Sequence, residues 1–239
     1  MILKFSQPKR TTMKKLIVSV LTIYVFVSCT TDDAVQAQKT NADFRPGFIQ
    51  KNIINPENNN NAYDFVGALH AEILNDYLEN NTLPVNLKDV MYDVYDTAVL
   101  NNDFVAINTG SSSLNELKVE KAIDNLTTPL NIVNVTNLSS AGKAKLTVFL
   151  ADIDDLETMT LSDAVSDIIA FETTVTNDHN LTVTDNKIIL RFTAIARYSL
   201  AYGEDRGWNK TKAGILASIN TSYAAEAVVL SITANLVAQ

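Results

Sequence analysis

With 239 residues, 46% of them hydrophobic, the chain can build a core of its own and bury roughly 70% of its unfolded surface. Its 27 acidic side chains against 19 basic ones, a formal net charge of −8, argue against a nucleic-acid partner, because phosphates are held by Lys and Arg. One cysteine leaves no intramolecular disulfide.

The first segment has the layout of a secretory signal. Lys14 and Lys15 precede an apolar run, 16–27, broken only by Ser19 and Thr22, and Ser28-Cys29 follows. That run of 12 residues is short of the roughly 20 a bilayer core requires. Met13 is an alternative start to Met1, since it opens a signal of ordinary length. Five Lys and Arg residues and no acid fall in residues 1–28, so the remainder carries 14 basic against 27 acidic side chains. Phe26-Val27-Ser28-Cys29 resembles the lipobox of bacterial lipoproteins, with Phe26 where Leu is usual. The resemblance implies cleavage before Cys29 and lipid on its sulfur. Thr30-Thr31-Asp32-Asp33 is similar to the acidic export signal of surface lipoproteins of the Bacteroidetes type, with Asp32 and Asp33 as its charges. The resemblance implies an outer-membrane lipoprotein facing the cell exterior; a periplasm-facing one is the alternative.

Residues 29–61 read as a flexible, Asn-rich tether with Pro46 and Pro56, too poor in apolar side chains to offset the entropy of ordering. The domain is expected over 62–239. Phe65, Leu69, Ile73 and Tyr77, with Val66, Leu74 and Leu78 beside them, repeat at helical spacing. Asn61 is the expected N-cap, Asp64 suits the first turn, and Asn80 and Asn81 end the helix. Leu87, Val90, Met91, Val94, Tyr95 and Ala98 mark a second helical face, with Asp89, Asp93 and Asp96 opposite. Ser113-Leu114-Asn115-Glu116 has capping-box spacing and opens a third helix, to about Asn125. Further helices are expected near 139–157, 160–177, 184–203 and 211–237, the second of these starting at Thr160-Leu161-Ser162-Asp163. Only seven glycines, and no proline after Pro129, favour an all-α domain of six or seven helices in a bundle-like arrangement. Strands at 132–136 and 182–190 are the minor alternative. The run 224–238 is apolar nearly all round, relieved by Glu226, Ser231, Thr233 and Asn235. It reads as a buried bundle centre, with membrane insertion as the alternative.

Asn61, Tyr63, Asp64, Gly67 and His70 lie in N-A-Y-D-x-x-G-x-x-H, which resembles an N-P-Y-D-x-x-G-x-x-H-N motif of helical Bacteroidetes lipoproteins. Ala62 and Ala71 depart from it, and the resemblance implies no particular activity. Gly67 allows a close backbone approach, and His70 is expected to be buried and hydrogen-bonded. His179 is the only other histidine, and two histidines without a free cysteine make a poor zinc set. Asp152, Asp154, Asp155, Glu157, Asp163 and Asp167 read as a solvated acidic face, without the spacing of a calcium loop. No metal or cofactor is expected. Tyr198, Tyr202, Arg206 and Trp208 form a candidate contact patch, although Tyr198 and Tyr202, one turn apart, also suit a core. Asp96-Thr97-Ala98 resembles an O-glycosylation triplet of Bacteroidetes secreted proteins. The functional reading is a non-catalytic surface lipoprotein that holds an envelope protein or glycan. A surface hydrolase using carboxylates and His70 is the alternative.

Overall fold

The computed structural model describes residues 54–109, 114–203 and 206–238. Cys29, Asp32, Asp33 and Ser113 lie outside them. Eleven helical segments and no strand occur among the described residues. They are α1 (Asp64–Asn80), α2 (Leu87–Ala98), α3 (Asn102–Ile107), α4 (Glu116–Asp124), α5 (Leu130–Val135), α6 (Ser140–Ala151), α7 (Asp155–Thr158), α8 (Leu161–Thr176), α9 (Val183–Gly203), α10 (Trp208–Ser218) and α11 (Ala224–Val237). The all-helical expectation holds, with more and shorter pieces than six or seven. The 139–157 run breaks into α6 and α7, and the 211–237 run into α10 and α11. The short α3 and α5 went unread; α5 and the start of α9 occupy the stretches kept open for strands.

Local capping explains most of the starts. Asn86, Asn101, Asn115, Ser139 and Thr160 each accept a backbone N–H of the following turn through the side chain. The first helix differs from expectation. Its N-cap is Tyr63, which makes no side-chain cap, while Asn61 Oδ1 accepts the Tyr63 N–H at 2.8 Å. The buried face of α1 is also rotated. It comprises Val66, Gly67, Leu69, His70, Ile73, Leu74 and Tyr77, whereas Phe65 and Leu78 stand about half exposed.

Two helices form the centre. Ala225 to Leu236 are buried without exception on α11, which is enclosed by α10, α2, α1 and α4. The buried stretch of α9, 188–199, is enclosed by α1, α8 and α10. Each polar group that relieves the apolar run of α11 has a partner. Glu226 takes Lys118 Nζ and Thr221 Oγ1, Ser231 meets His70, Thr233 Oγ1 donates to the Val229 carbonyl, and Asn235 accepts from Arg206. A membrane-inserted α11 would leave these groups in hydrocarbon; here they are paired inside protein. No described helix is long and apolar enough to cross a membrane.

Polar side chains also fix the connections. Asp185, buried at the start of α9, accepts from the backbone and hydroxyl of both Ser139 and Thr182, at 2.6–2.9 Å. One carboxylate thereby joins the starts of α6 and α9. Burial works to raise its pKa, but these hydrogen bonds outweigh it and hold the carboxyl below its ordinary range. Arg191, fully buried on α9, donates through Nη2 to the Thr221 carbonyl and so ties down the α10–α11 connection. Burial brings its guanidinium down to about 10 against the opposing field of Glu226.

At the α1–α9 crossing a Cβ on Gly67 would lie 2.5 Å from Tyr198 Cδ2 and 2.6 Å from the Ala194 carbonyl oxygen. On a free helix Gly→Ala stabilises by about 1 kcal/mol. Here the crowding reverses the sign, because backbone must move to relieve it. Gly67→Ala should lower stability in urea unfolding by about 1–3 kcal/mol; an unchanged or raised midpoint would mean that the helices cross less closely.

Candidate functional site

Of the residues singled out near the start of α1, Asn61 and Asp64 join one largely buried polar cluster with two partners the sequence did not disclose. Arg197 on α9 has no exposed surface. It donates through Nη2 to Asp64 Oδ1 at 2.5 Å and through Nε to Glu172 Oε1 at 3.1 Å. Glu172 on α8 is itself buried and accepts from Asn61 Nδ2 at 2.9 Å and Asn58 Nδ2 at 2.6 Å. Asn61 Nδ2 also donates to the Leu190 carbonyl at 2.8 Å. The Tyr198 hydroxyl donates to Asp64 Oδ2 at 3.1 Å. Burial, followed by the Asp64 carboxylate, pushes the Tyr198 phenol well above its ordinary range, so it stays a donor.

This cluster corrects the tether's inner boundary. Asn58 and Asn61 are buried, so the end of the Asn-rich segment belongs to the domain. The amide side chains that suggested a solvated spacer are the ones that satisfy a buried carboxylate. Tyr63 is half-buried against the core.

His70 stands apart from the cluster. It is fully enclosed, and its Nε2 lies 3.0 Å from Ser231 Oγ on α11. Its expected burial and hydrogen bond are therefore present, and α1 is joined to the central helix by them. Burial first, and the charge of Arg206 second, hold the imidazole at about 3, against an ordinary 6.5. At neutral pH it is uncharged.

The four candidates for a contact patch separate. Tyr198 is buried with Asp64, and Tyr202, about half exposed, stacks on it with ring centroids 6.2 Å apart. Arg206 and Trp208, which flank Gly207 in the chain, line different clefts, and Gly207 has a φ of +85° that favours glycine. Trp208 lines a shallow cleft of about 270 Å³ with Leu156, Met159, Leu161 and Leu200, and with Glu157 and Thr211 at its edge. Its Nε1–H donates to Asp154 Oδ1 at 3.0 Å, and Lys212 Nζ reaches the same oxygen. Burial acts to raise the pKa of Asp154, but those two donors outweigh it and leave the carboxyl depressed. Of the acidic run, then, Asp154 bonds the tryptophan, and like Asp152, Asp155, Glu157, Asp163 and Asp167 it is exposed. His179 is exposed too, and among the described residues no three His, Cys, Asp or Glu side chains gather as a metal site. Thr97 Oγ1 donates to the Asp93 carbonyl and accepts from Asn81.

No family model, curated protein or solved structure matches this chain.

The depressed pKa of His70 carries a pH signature. A histidine that is neutral in the folded state and titrates near 6.5 when unfolded stabilises the fold above that value; the contribution is lost as pH falls toward the folded pKa. Between pH 7 and 5 the wild type should therefore lose about 2 kcal/mol from this group alone. His70→Gln, which can keep a bond to Ser231 without titrating, should lose correspondingly less. Urea unfolding at both pH values measures the difference; parallel losses would show that His70 is not buried uncharged.

Proposed function

We propose that the protein is a lipid-anchored envelope protein, tethered through Cys29 to the outer membrane and turned toward the cell exterior, whose helical domain binds rather than catalyses. The leader, the lipobox-like F-V-S-C and the acidic T-T-D-D support the address. Support for a binding role comes chiefly from the Trp208 cleft. An indole hydrogen-bonded to Asp154, in a cleft it shares with Leu156, Leu161 and Leu200, offers an aromatic face with few rotatable bonds. Such a face suits a sugar ring or an apolar side chain, in keeping with a glycan or envelope-protein partner. The hydrolase alternative loses support because its residues are engaged elsewhere. Glu172 neutralises Arg197 inside the core, Asp64 shares that guanidinium, and His70 faces Ser231 with no exposed surface. A general base must reach substrate within hydrogen-bond distance, which an enclosed imidazole does not.

Two experiments test this reading. Cys29→Ala should move the protein from the membrane fraction to the soluble fraction, and Asp32→Ala with Asp33→Ala should protect it from protease added to intact cells. Retention of the Cys29 variant in the membrane would remove the lipid anchor from the account. The second uses Trp208 as its own reporter, since it is the only tryptophan. Cell-surface glycans or envelope-protein fragments that bind should change its emission saturably, and Trp208→Ala should weaken binding by about tenfold or more, the effect of losing a buried aromatic anchor. Binding that leaves the emission unchanged would place the partner elsewhere.

A further inference from the structure

A second cleft, lined in part by Arg206, has a volume of about 430 Å³, inside the range of roughly 300–1,000 Å³ typical of small-molecule sites. It is lined by Tyr77, Leu78, Asn81 and Leu83 from α1 and the segment after it, and by Arg206, Lys210, Asn235 and Leu236. Two cations share this space, and no Asp or Glu is found among the described residues that line it. Such a concentration of positive charge is unusual on a chain of net charge −8.

The cations are also placed where an isolated protein gains least from them. Lys210 sits in the first turn of α10, whose exposed N–H groups already carry partial positive charge. Arg206 is half-buried and is aimed by Asn235, whose Oδ1 accepts from Nη1 at 3.0 Å. A guanidinium held this way presents its remaining donors in a fixed fork, suited to an oxyanion. The third observation is Tyr77. Its side chain is almost wholly buried, it lines the cleft, and its hydroxyl has no hydrogen-bond partner among the described residues. A buried donor left unmet is costly, and a ligand oxygen at this place would meet it. Burial first, and the Asp93 carboxylate second, raise the phenol's pKa, so it remains a donor at neutral pH.

The rest of the cleft is apolar. Leu78 and Leu83, about half exposed, and the buried Leu236 all line it. Leu78 belongs to the helix face that the sequence assigns to the core, yet it is left partly open to solvent here. We propose that this cleft binds a small amphipathic oxyanion, its charged head taken by Arg206, Lys210 and the Tyr77 hydroxyl and its apolar body laid against Leu78, Leu83 and Leu236. The site is independent of the Trp208 cleft and does not rest on the binding role assigned there.

Octanoate is a suitable probe, titrated calorimetrically into the full chain carrying Cys29→Ala so that detergent is not needed. Octanol tests the tail without the charge, and acetate and inorganic phosphate test the charge without the tail. Octanoate should bind saturably, one per chain, and more tightly than any of the other three. Arg206→Gln and Lys210→Gln should each weaken it roughly tenfold or more, and Tyr77→Phe by less, without loss of helical circular dichroism. Lys121→Gln, a matched charge loss at an exposed position of α4, should leave it unchanged. Octanol binding as tightly as octanoate would remove the anion site. Equal binding of acetate or phosphate would remove the apolar subsite. No octanoate binding at millimolar concentration, or undiminished binding to both the Arg206 and Lys210 variants, would overturn the proposal.

Discussion

The buried guanidinium of Arg197 sets how α1, α8 and α9 meet. A charge with no exposed surface needs opposite charge and hydrogen bonds at close range, or its burial costs several kcal/mol. Asp64 and Glu172 supply the charge from α1 and α8, and Arg197 itself comes from α9. Two carboxylates on one guanidinium leave an excess of negative charge, and Asn58, Asn61 and Tyr198 answer it with donors. The position of α1 and the docking of the segment before it therefore follow from one electrostatic requirement. Replacing only one member would strand the others, because removing one partner of a buried pair leaves an uncompensated charge.

The other centre is α11, where hydrophobic burial does most of the work and polar pairs choose the register. A helix apolar on all sides can be rotated at little cost against apolar neighbours. Ser231 against His70, Asn235 against Arg206 and Glu226 against Lys118 remove that freedom, since any other rotation leaves buried polar atoms unmet. The same pairing links the core to the surface. Asn235 is buried on the central helix, yet it aims a half-buried arginine at the rim of a cleft.

Much of the fold was legible. The helical spacing at Val90, Met91, Val94 and Ala98 returns as the buried face of α2, and Thr160 caps α8 as its sequence context implies. The short segments were not legible, because α3 and α5 are six residues each and too brief to show periodicity. The face of α1 was misread at Phe65 and Leu78. Counting apolar residues favoured them, whereas the packed side includes Gly67 and His70, a residue with no side chain and one with a polar ring. Of the buried cluster, Asn61, Asp64 and Gly67 stood out, while Glu172 and Arg197 did not. Two arginines within the apolar stretch of α9 were the available signal, since buried arginines demand partners.

By itself the sequence determined what depends on neighbours along the chain: the longer helices, several of their caps, and the dominance of helical over strand signals. These follow from local propensity, spacing and side-chain hydrogen bonds to nearby backbone. Only the tertiary structure decided which polar residues are structural and which line clefts. Asn58 looked like spacer and proved buried; Arg206 and Trp208, two positions apart, line different clefts. The physical reason is that burial and charge pairing are properties of distance in space. Glu172 and Asn58, bonded at 2.6 Å, are 114 residues apart in the chain.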